Sequence, residues 1–497
     1  MKHETLPEDR KWMRVLLATP PGKTTELWPP LGLLYIASSL KASRQDDIEI
    51  VDAFCENLTN EQLVERVVAA RPDVFGINCS THTFLGAAAA LASIKKRLPD
   101  AKIVMGGFHA TFEAERILRS SPQVDYVVKG EAERSFPRLL DAIEGRADIA
   151  SVEGAYYLKG GECRGSPPGR IDDLDSLPFP DRSLVPKVEY GYYHENIKLT
   201  FGRFTTICTS RGCPYACRYC SCAAFSQRHW RPRSAENVVA ELEELYRDGY
   251  ECCVFVDDNF SLDKKRVQKI CALIREKRIK MDFYCEARVD GVSLELLKTM
   301  KKAGFNVIYF GTESACQHVL DYYDKTITAE KAMKAIAAAK QAGMIVVSSF
   351  IFGAPVESGE DMRRTIDFIR SSRPHAIQIN ILDCLVGTPI WDELITKGIP
   401  KEGDWMRNHR IYEYGGSPLS RQELESMVDE GYAAYVESWK SWSLVPELAR
   451  LLINNRTSRK IIKGNVLNPD VRRRISEGMR KNRAAIEVPS QLEMPSK

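Results

Sequence analysis

The chain has 497 residues, of which 44 % are hydrophobic and 28 % are charged, and its formal net charge is +3. This composition is typical of a globular chain of two to four domains and excludes a fibrous, low-complexity or disordered protein. No apolar run reaches the roughly 18 residues of a membrane-spanning helix, and no apolar stretch follows the charged start. We therefore expect a cytoplasmic protein without a membrane span or a signal peptide.

Residues 1–150 are predicted to form a doubly wound, Rossmann-like parallel sheet, because short apolar runs alternate with helical patterns. The expected strands are Arg14–Thr19, Ile48–Asp52, Val74–Asn78, Lys102–Met105 and Tyr126–Lys129. The helical stretches between them include Leu31–Lys41, Asn60–Ala70 and Phe84–Leu98.

Small and polar residues stand where these strands end. Ligands of such sheets bind beyond the carboxyl ends of the strands, and small residues let a bulky ligand approach the backbone. Tight turns in a domain that only packs would explain the same residues. The residues at these ends are Pro20, Asp52, Ser80, Thr81, Gly106, Gly107, Gly130 and Glu131.

Three segments make this region similar to the cobalamin-binding domain that precedes a class of radical S-adenosylmethionine (SAM) enzymes. They are residues 28–37 (WPPLGLLYIA), 106–111 (GGFHAT) and 128–131 (VKGE). The resemblance implies cobalamin contacts at the strand-end residues and at His109.

One position departs from the related methionine-synthase pattern Asp-x-His-x-x-Gly, in which the histidine binds cobalt. The matching register here is Asp52, Ala53 and Phe54, and a phenyl ring has no lone pair to give. If cobalamin binds, the lower face of its cobalt is open, hydrated or met by another side chain.

Residues 151–195 are expected to form a linker that contains a small hairpin at Tyr156–Glu162. Glycine and proline residues interrupt regular structure in this stretch, including Pro167, Pro168 and Pro178.

Cys213, Cys217 and Cys220 follow a strand-like run, Leu199–Cys208, at spacings of four and three residues. Thiolates are the usual ligands of iron–sulfur clusters, and three of them on a cubane leave one iron open to a small molecule. A zinc site closed by Cys222 or His229 is the alternative. The remaining cysteines are not clustered in this way, so one cluster is predicted.

The pattern Cys-x-x-x-Cys-x-aromatic-Cys resembles the signature of the radical SAM superfamily. The resemblance implies that the three cysteines hold a 4Fe–4S cluster and that SAM binds the fourth iron. It also implies that the backbone of Tyr219 lies near the adenine.

Residues 196–400 contain six predicted β/α units, which resemble the partial barrel of radical SAM domains. After Leu199–Cys208 the strands are Cys253–Val256, Asp282–Cys285, Val307–Gly311, Ile345–Phe352 and Ala376–Ile381. The helices include Ala235–Asp248, Lys264–Lys277, Leu294–Ala303, Ala329–Ala342 and Glu360–Arg370.

Polar and small residues again follow successive strands of this barrel. The resemblance implies SAM contacts there. The methionyl amine would lie near Asp257 and Asp258, and Arg288 is suited to the carboxylate. Ribose and adenine would lie near Gly353 and Pro355. Each residue taken alone is more often a helix cap or a loop carboxylate than a ligand, but the same rule holds at successive strand ends. They are Asp257, Asp258, Glu286, Arg288, Glu313, Gly353 and Pro355.

Residues 401–497 are predicted to be helical, with helices at Arg421–Trp442 and Pro469–Lys481. Residues 450–497 carry 12 Lys and Arg against 4 Asp and Glu. This basic tail could meet an anionic substrate, a partner protein or nucleic acid, but ordinary solvated helix faces explain it better. Nucleic acid is an improbable partner, because no nucleic-acid-binding module accompanies the tail.

The two domains together imply a cobalamin-dependent radical SAM C-methyltransferase of anaerobic chemistry. A 5′-deoxyadenosyl radical would take hydrogen from an unactivated carbon, and methylcobalamin would supply the methyl group. The implied partners are a small-molecule, peptide or protein substrate, such as a glutamine side chain, and an electron donor such as flavodoxin or ferredoxin. The alternatives are an oxidative cyclase or rearrangement enzyme with the same cofactors, and a cobalamin-binding sensor or carrier with an inactive barrel.

Overall fold

The computed structural model describes residues 12–22, 27–185, 188–191, 193–194, 197–198, 200–439, 455 and 457–460. Two sheets dominate these residues, one mixed and one parallel, and each lies where the sequence predicts a sheet. The predicted helix Pro469–Lys481 and most of the basic tail lie outside the described residues.

The first sheet has seven strands in the order β2-β1-β3-β4-β5-β6-β7. Its strands are β1 Arg14–Thr19, β2 Asp47–Asp52, β3 Val74–Asn78, β4 Lys102–Gly106, β5 Tyr126–Val128, β6 Ala155–Lys159 and β7 Glu162–Gly165. Its helices are α1 Leu31–Ser43, α2 Asn60–Ala70, α3 Phe84–Arg97, α4 Phe108–Ser120 and α5 Ser135–Ile143. The doubly wound architecture is confirmed, since β1 to β5 are parallel and β1 is buried on both faces.

The predicted hairpin forms, but it belongs to the first sheet rather than to a linker. Strand β6 pairs antiparallel with β5, with Val127 opposite Tyr156. The hairpin thereby satisfies the backbone groups that β5 would otherwise leave unpaired. The connection between the two sheets therefore begins after Gly165 and not at residue 151.

The second sheet has six parallel strands in sequence order. They are β10 Phe204–Ile207, β13 Cys252–Phe255, β14 Asp282–Ala287, β15 Phe305–Glu313, β16 Ile345–Phe352 and β17 Ala376–Ile381. Short antiparallel pairs are β8 Tyr193–His194 with β9 Ile197–Lys198, and β11 Ser210–Arg211 with β12 Arg231–Pro232. The helices are α6 Cys222–Phe225, α7 Ala235–Arg247, α8 Lys264–Glu276, α9 Leu294–Ala303, α10 Gln317–Tyr322, α11 Ala329–Gln341, α12 Gly359–Ser372, α13 Pro389–Thr396 and α14 Arg421–Ser438.

Alternate residues of these strands face opposite sides of the second sheet. Ile377 and Ile379 of β17 pack in the large core beneath the helices, whereas Ala376 belongs to a smaller apolar cluster on the inner side. The inner face of β17 therefore carries Ala376, Gln378 and Asn380. Helix α14 covers the outer face, where a Cβ at Gly431 would lie 2.4 Å from Ile379 Cδ1. Among the described residues, no helix is long and apolar enough to cross a membrane.

Candidate functional site

The three cysteines of the predicted cluster site lie in a loop between β11 and α6. Gly212 precedes them with a φ of +83°, and a Cβ there would stand 2.2 Å from the His229 carbonyl oxygen, so the turn requires glycine. The Gly212 N–H donates to Asp258 Oδ2 at 2.9 Å. Farther along, the Arg218 N–H donates to the Tyr323 carbonyl at 3.0 Å. The loop is thus held at both ends by the barrel.

The sequence leaves two alternatives for this loop, an iron–sulfur cubane and a zinc ion closed by Cys222 or His229. Among the described residues, no three His, Cys, Asp or Glu side chains converge closely enough to hold one metal ion. His229, a possible fourth zinc ligand, is exposed and its Nδ1 lies 2.7 Å from the Gln227 carbonyl of its own loop.

Asp257 and Asp258, which were predicted to bind SAM, have different environments. Asp257 is buried and accepts hydrogen bonds from Thr209 N, Thr209 Oγ1 and Ser210 Oγ at 2.6–2.7 Å. Both of its oxygens are engaged, so Asp257 is better explained as an anchor of the strand that leads into the cysteine loop. Asp258 is exposed and stands beside the loop, where a ligand can reach it.

Glu286 and Arg288 also differ in how accessible their side chains are to a ligand. Glu286 is exposed on the inner side of the sheet. Arg288 is buried, pairs with Asp290 at 2.9 and 3.0 Å, and stacks over the Tyr215 ring at 3.6 Å. The expected contact with the methionyl carboxylate therefore competes with an internal carboxylate, and the stacking supports the cysteine loop.

Glu313 belongs to a buried network that the sequence did not indicate in full. Lys325 Nζ lies 2.7 Å from Glu313 Oε1 and 2.9 Å from the hydroxyl of Tyr219, which itself donates to Glu313 at 2.9 Å. Burial lowers the pKa of Lys325, but the Glu313 carboxylate more than offsets this, so the pKa is raised. Lys325 has no motif around it, and sequence reasoning missed it.

Gly353 and Pro355 follow β16 in a turn that Glu357 closes. Gly353 has a φ of +97°, and Glu357 Oε2 accepts hydrogen bonds from Gly353 N at 2.7 Å and from Ala354 N at 3.3 Å. Its other oxygen finds no partner among the described residues. Burial therefore raises the pKa of Glu357 to about 8.

The Glu357→Gln variant should gain thermal stability relative to wild type as the pH rises from about 5 to about 8. In this range the folded protein keeps a proton on Glu357 that the unfolded chain has lost. Unfolding of wild type therefore releases a proton, and its free energy of unfolding falls as the pH rises. A glutamine does not titrate, so the variant lacks this loss. The relative change is on the order of 3 kcal/mol between the two limits. Melting temperatures of both proteins across this range provide the measurement, and a constant difference between them would contradict the prediction.

A cavity of about 360 Å³ lies between the carboxyl edge of the first sheet and the cysteine loop. In the first sheet the strand order reverses direction between β1 and β3, and such sheets bind ligands at this switch point. Leu17 of β1 and Gly76 of β3 line the cavity, so the cavity lies at the switch point. The predicted cobalamin residues at its wall are Gly106, Gly107, Gly130 and Glu131, and Asp258, Arg211, Gly212 and Cys222 line it from the barrel side.

The apolar lining of this cavity suits the nucleotide tail of a corrin. Gly107 has a φ of +95°, and a Cβ there would lie 2.3 Å from Asn78 Oδ1, so the turn at this wall requires glycine. The inner part is apolar, lined by Leu17, Leu33, Ile36, Gly76, Val104 and Phe136. A flat apolar base can lie there while the polar ring system stays at the mouth.

The other residues predicted to bind cobalamin are not among those lining this cavity. Asp52 accepts hydrogen bonds from Thr19 at 2.7 Å and from the Tyr190 hydroxyl at 3.0 Å. His109 is buried between Phe84 and Trp405, and burial lowers its pKa to about 4. Its Nδ1 lies 3.2 Å from Thr81 Oγ1. The contacts of these three residues with cobalamin stay a prediction.

Pro20 and Ser80 are also outside the lining residues. Pro20 is buried, and Ser80 is exposed with its N–H donating to Thr83 Oγ1 at 3.1 Å. Phe54, in the cobalt-ligand register, packs against Gly22, whose added Cβ would lie 2.6 Å from its ring.

A hydrogen-bonded chain of neutral side chains on the inner face of the barrel was not predicted. The Tyr309 hydroxyl donates to Gln378 Oε1 at 2.7 Å, and Gln378 Nε2 donates to Asn380 Oδ1 at 3.4 Å. Asn380 is exposed. The alternation in the sequence of β17, AIQINI, carries the signal that could have identified the two amides.

Comparison with known proteins gives two matching family models. The radical SAM superfamily model matches residues 207–369, and the B12 binding domain model matches residues 19–140. An uncharacterized methyltransferase of Pyrococcus horikoshii is 32 % identical over 405 residues, which cover 80 % of this chain and 86 % of that protein.

Two further likenesses extend the comparison. The anaerobic magnesium-protoporphyrin IX monomethyl ester cyclase of Rubrivivax gelatinosus is 30 % identical over 356 residues, or 70 % of this chain and 63 % of that protein. The solved structure of the radical SAM methyltransferase TsrM of Kitasatospora setae has a TM-score of 0.66 at 19 % identity, covering 77 % of this chain and 76 % of that chain. This last likeness concerns the fold.

Proposed function

Because this chain belongs to the cobalamin-binding radical SAM enzymes, we propose that it transfers a methyl group to an unactivated carbon, or phosphorus, centre. It is an enzyme whose cofactors are a 4Fe–4S cluster, SAM and cobalamin. The observation that carries the proposal is the cavity that the carboxyl edge of the first sheet and the cysteine loop line together.

When bound, the cluster supplies the electron that cleaves SAM, and cobalamin supplies the methyl group. Cys213, Cys217 and Cys220 would hold the cluster, and Asp258 would lie beside the bound SAM. Gly106, Gly107 and Gly130 would allow the corrin to approach the backbone of the first sheet. The apolar part of the cavity would hold the nucleotide tail away from water.

The proposed reaction balances without an oxidant. One substrate C–H bond, two SAM molecules and two electrons give the methylated substrate, 5′-deoxyadenosine, methionine and S-adenosylhomocysteine. Both electrons come from a one-electron donor such as flavodoxin or ferredoxin. The protein has to hold the substrate carbon in line with both cofactors, which is a task of positioning.

The substrate in this proposal is a small molecule, or a peptide or protein side chain such as glutamine. The amide side chains of Gln378 and Asn380 on the inner face of β17 are suited to hydrogen-bond such a substrate, because Asn380 is exposed there. Their neutral groups favour contact with a carbonyl or an amide over contact with a phosphate.

A second candidate is an oxidative reaction that uses the same cofactors but transfers no methyl group. The 30 % identity to the anaerobic cyclase favours it. A sensor or carrier with an inactive barrel is a weaker candidate, because all three cluster cysteines are present in their loop.

The test is an anaerobic reaction with reconstituted enzyme, a reductant and SAM that carries a trideuterated methyl group. An extract from a strain lacking this gene serves as the source of substrate. We expect a product whose mass rises by one trideuteromethyl group in place of hydrogen, and we expect none with the Cys217→Ala variant. A product without label contradicts methyl transfer, and a loss of hydrogen from the product favours the oxidative candidate.

A further inference from the structure

Four buried charged side chains connect the first sheet to the loop that carries the cluster cysteines. Arg231 forms two parallel hydrogen bonds of 2.8 Å with the carboxylate of Glu131. Arg211 lies 3.1 Å from Glu131 and 2.5 Å from Glu133. We call this group, Glu131, Glu133, Arg211 and Arg231, the interdomain clamp.

We propose that the interdomain clamp is a positioning device that sets the separation between cobalamin and the iron–sulfur cluster. Glu131 was expected to contact cobalamin, but its two oxygens are occupied by the two arginines and by the Ile171 N–H at 3.1 Å. This inference rests on the presence of both cofactors and not on the proposed methyl transfer.

The interdomain clamp joins the wall of the cavity directly to the segment that carries the cluster cysteines. Glu131 and Glu133 follow β5 at the carboxyl edge of the first sheet, next to Gly130. Arg211 lies two residues before Cys213 in the cluster loop. A change in the ion pairs therefore moves the wall of the cobalamin cavity relative to the cluster ligands.

The ladder between β11 and β12 makes the carboxylates necessary. Arg211 and Arg231 stand directly opposite one another in this antiparallel pair, and like charges in that arrangement repel. Glu131 contacts both guanidinium groups and removes the repulsion. Docking of the edge of the first sheet thus stabilises the strand pair that flanks the cluster loop.

The burial of the clamp favours a geometric role over a stabilising one. The side chains of Glu131, Arg231 and Glu133 are 6–9 % exposed, and that of Arg211 is 17 % exposed. Buried ion pairs contribute little net stability compared with apolar packing, because both charges lose their hydration. Bidentate guanidinium–carboxylate pairs do, however, fix distance and orientation.

The experiment measures the distance between the two cofactors in the reduced holoenzyme. Pulsed dipolar electron paramagnetic resonance gives this distance from the coupling between the reduced cluster and cob(II)alamin. The test variant is Glu131→Gln. The matched control is Glu144→Gln, which removes the same charge from a pair with Arg44 (2.7 Å) that lies wholly within the first domain. The iron and corrin contents of each protein are measured on the same samples.

We expect the Glu131→Gln variant to retain both cofactors while its distance distribution shifts by about 1 Å or more, a displacement that can cost roughly 100-fold in rate. The Glu144→Gln variant should match wild type. An unchanged distribution in Glu131→Gln overturns the proposal, and so does an equal shift in both variants. Should Glu131→Gln lose cobalamin, the Arg231→Lys variant decides, because it keeps the charge and loses the two parallel bonds: a shift supports the clamp and a wild-type distance overturns it.

Discussion

The Cys217→Ala variant is expected to lose the iron–sulfur cluster and, with it, reductive cleavage of SAM. Cys217 is the most buried of the three predicted ligands, and its loop is held by the barrel through the neighbouring Arg218 backbone. Enzymes accelerate reactions by at least about 10⁶-fold, and the cluster supplies the electron on which SAM cleavage depends. The rate of 5′-deoxyadenosine formation should therefore fall by about 1,000-fold as a lower bound. Iron and sulfide analysis together with the assay of 5′-deoxyadenosine provides the measurement.

Two other cysteines serve as controls for this experiment. Cys222 lies just after the triplet, and Cys163 lies in the β6–β7 hairpin. Their alanine variants should retain the iron and sulfide of wild type. Equal loss of metal in Cys222→Ala would instead indicate four cysteine ligands, as in a closed structural site.

The Gly76→Val variant is expected to bind cobalamin more weakly while the fold survives. A Cβ at Gly76 points toward Leu17 Cδ2, 2.7 Å away, and both residues line the apolar part of the cavity. The end of the leucine side chain can move, and valine is favoured over glycine in a strand. Overpacking the cavity should cost the bound state about 1–3 kcal/mol, which is about 10- to 100-fold in affinity. Corrin titration of the purified protein gives this value, and the melting temperature of the cofactor-free protein reports the fold.

The Gly86→Ala variant is the control for this change. Gly86 lies in α3 of the same domain, away from the cavity, and an added Cβ would stand 3.5 Å from Asn60. It should bind cobalamin as wild type does. If Gly76→Val also binds cobalamin with unchanged affinity, the cavity is not where the corrin tail lies.

The fold could be predicted because its signals are local. The alternation of apolar strands and helical patterns located both sheets, and Val74–Asn78 and Ile345–Phe352 have the predicted bounds. The spacing of Cys213, Cys217 and Cys220 is likewise local, because one loop carries all three ligands. Such features need no knowledge of what packs against them.

The roles of single charged residues could not be predicted, because they depend on partners far away in the chain. Glu131 meets Arg231 across 100 residues, and Lys325 meets Tyr219 across 106. Asp257 has the position of a ligand-binding carboxylate, but the hydroxyls of the preceding strand take its oxygens. The strand-end rule thus placed candidate residues at the carboxyl edge of each sheet, but it could not tell which of their side chains other residues already engage.

The pairing of the β6–β7 hairpin was missed for the same reason. Its turn residues were evident, but the exposed edge of β5 that receives it is a property of the assembled sheet.

Analysis of iron, sulfide and corrin in one anaerobically purified sample tests most directly whether two cofactors share one chain. We expect about four iron, four sulfide and one corrin per chain, since the three cysteines would hold a 4Fe–4S cluster and the cavity would receive the corrin. A sample that binds zinc in place of iron and sulfide, or that takes up no corrin when cobalamin is supplied, would contradict it.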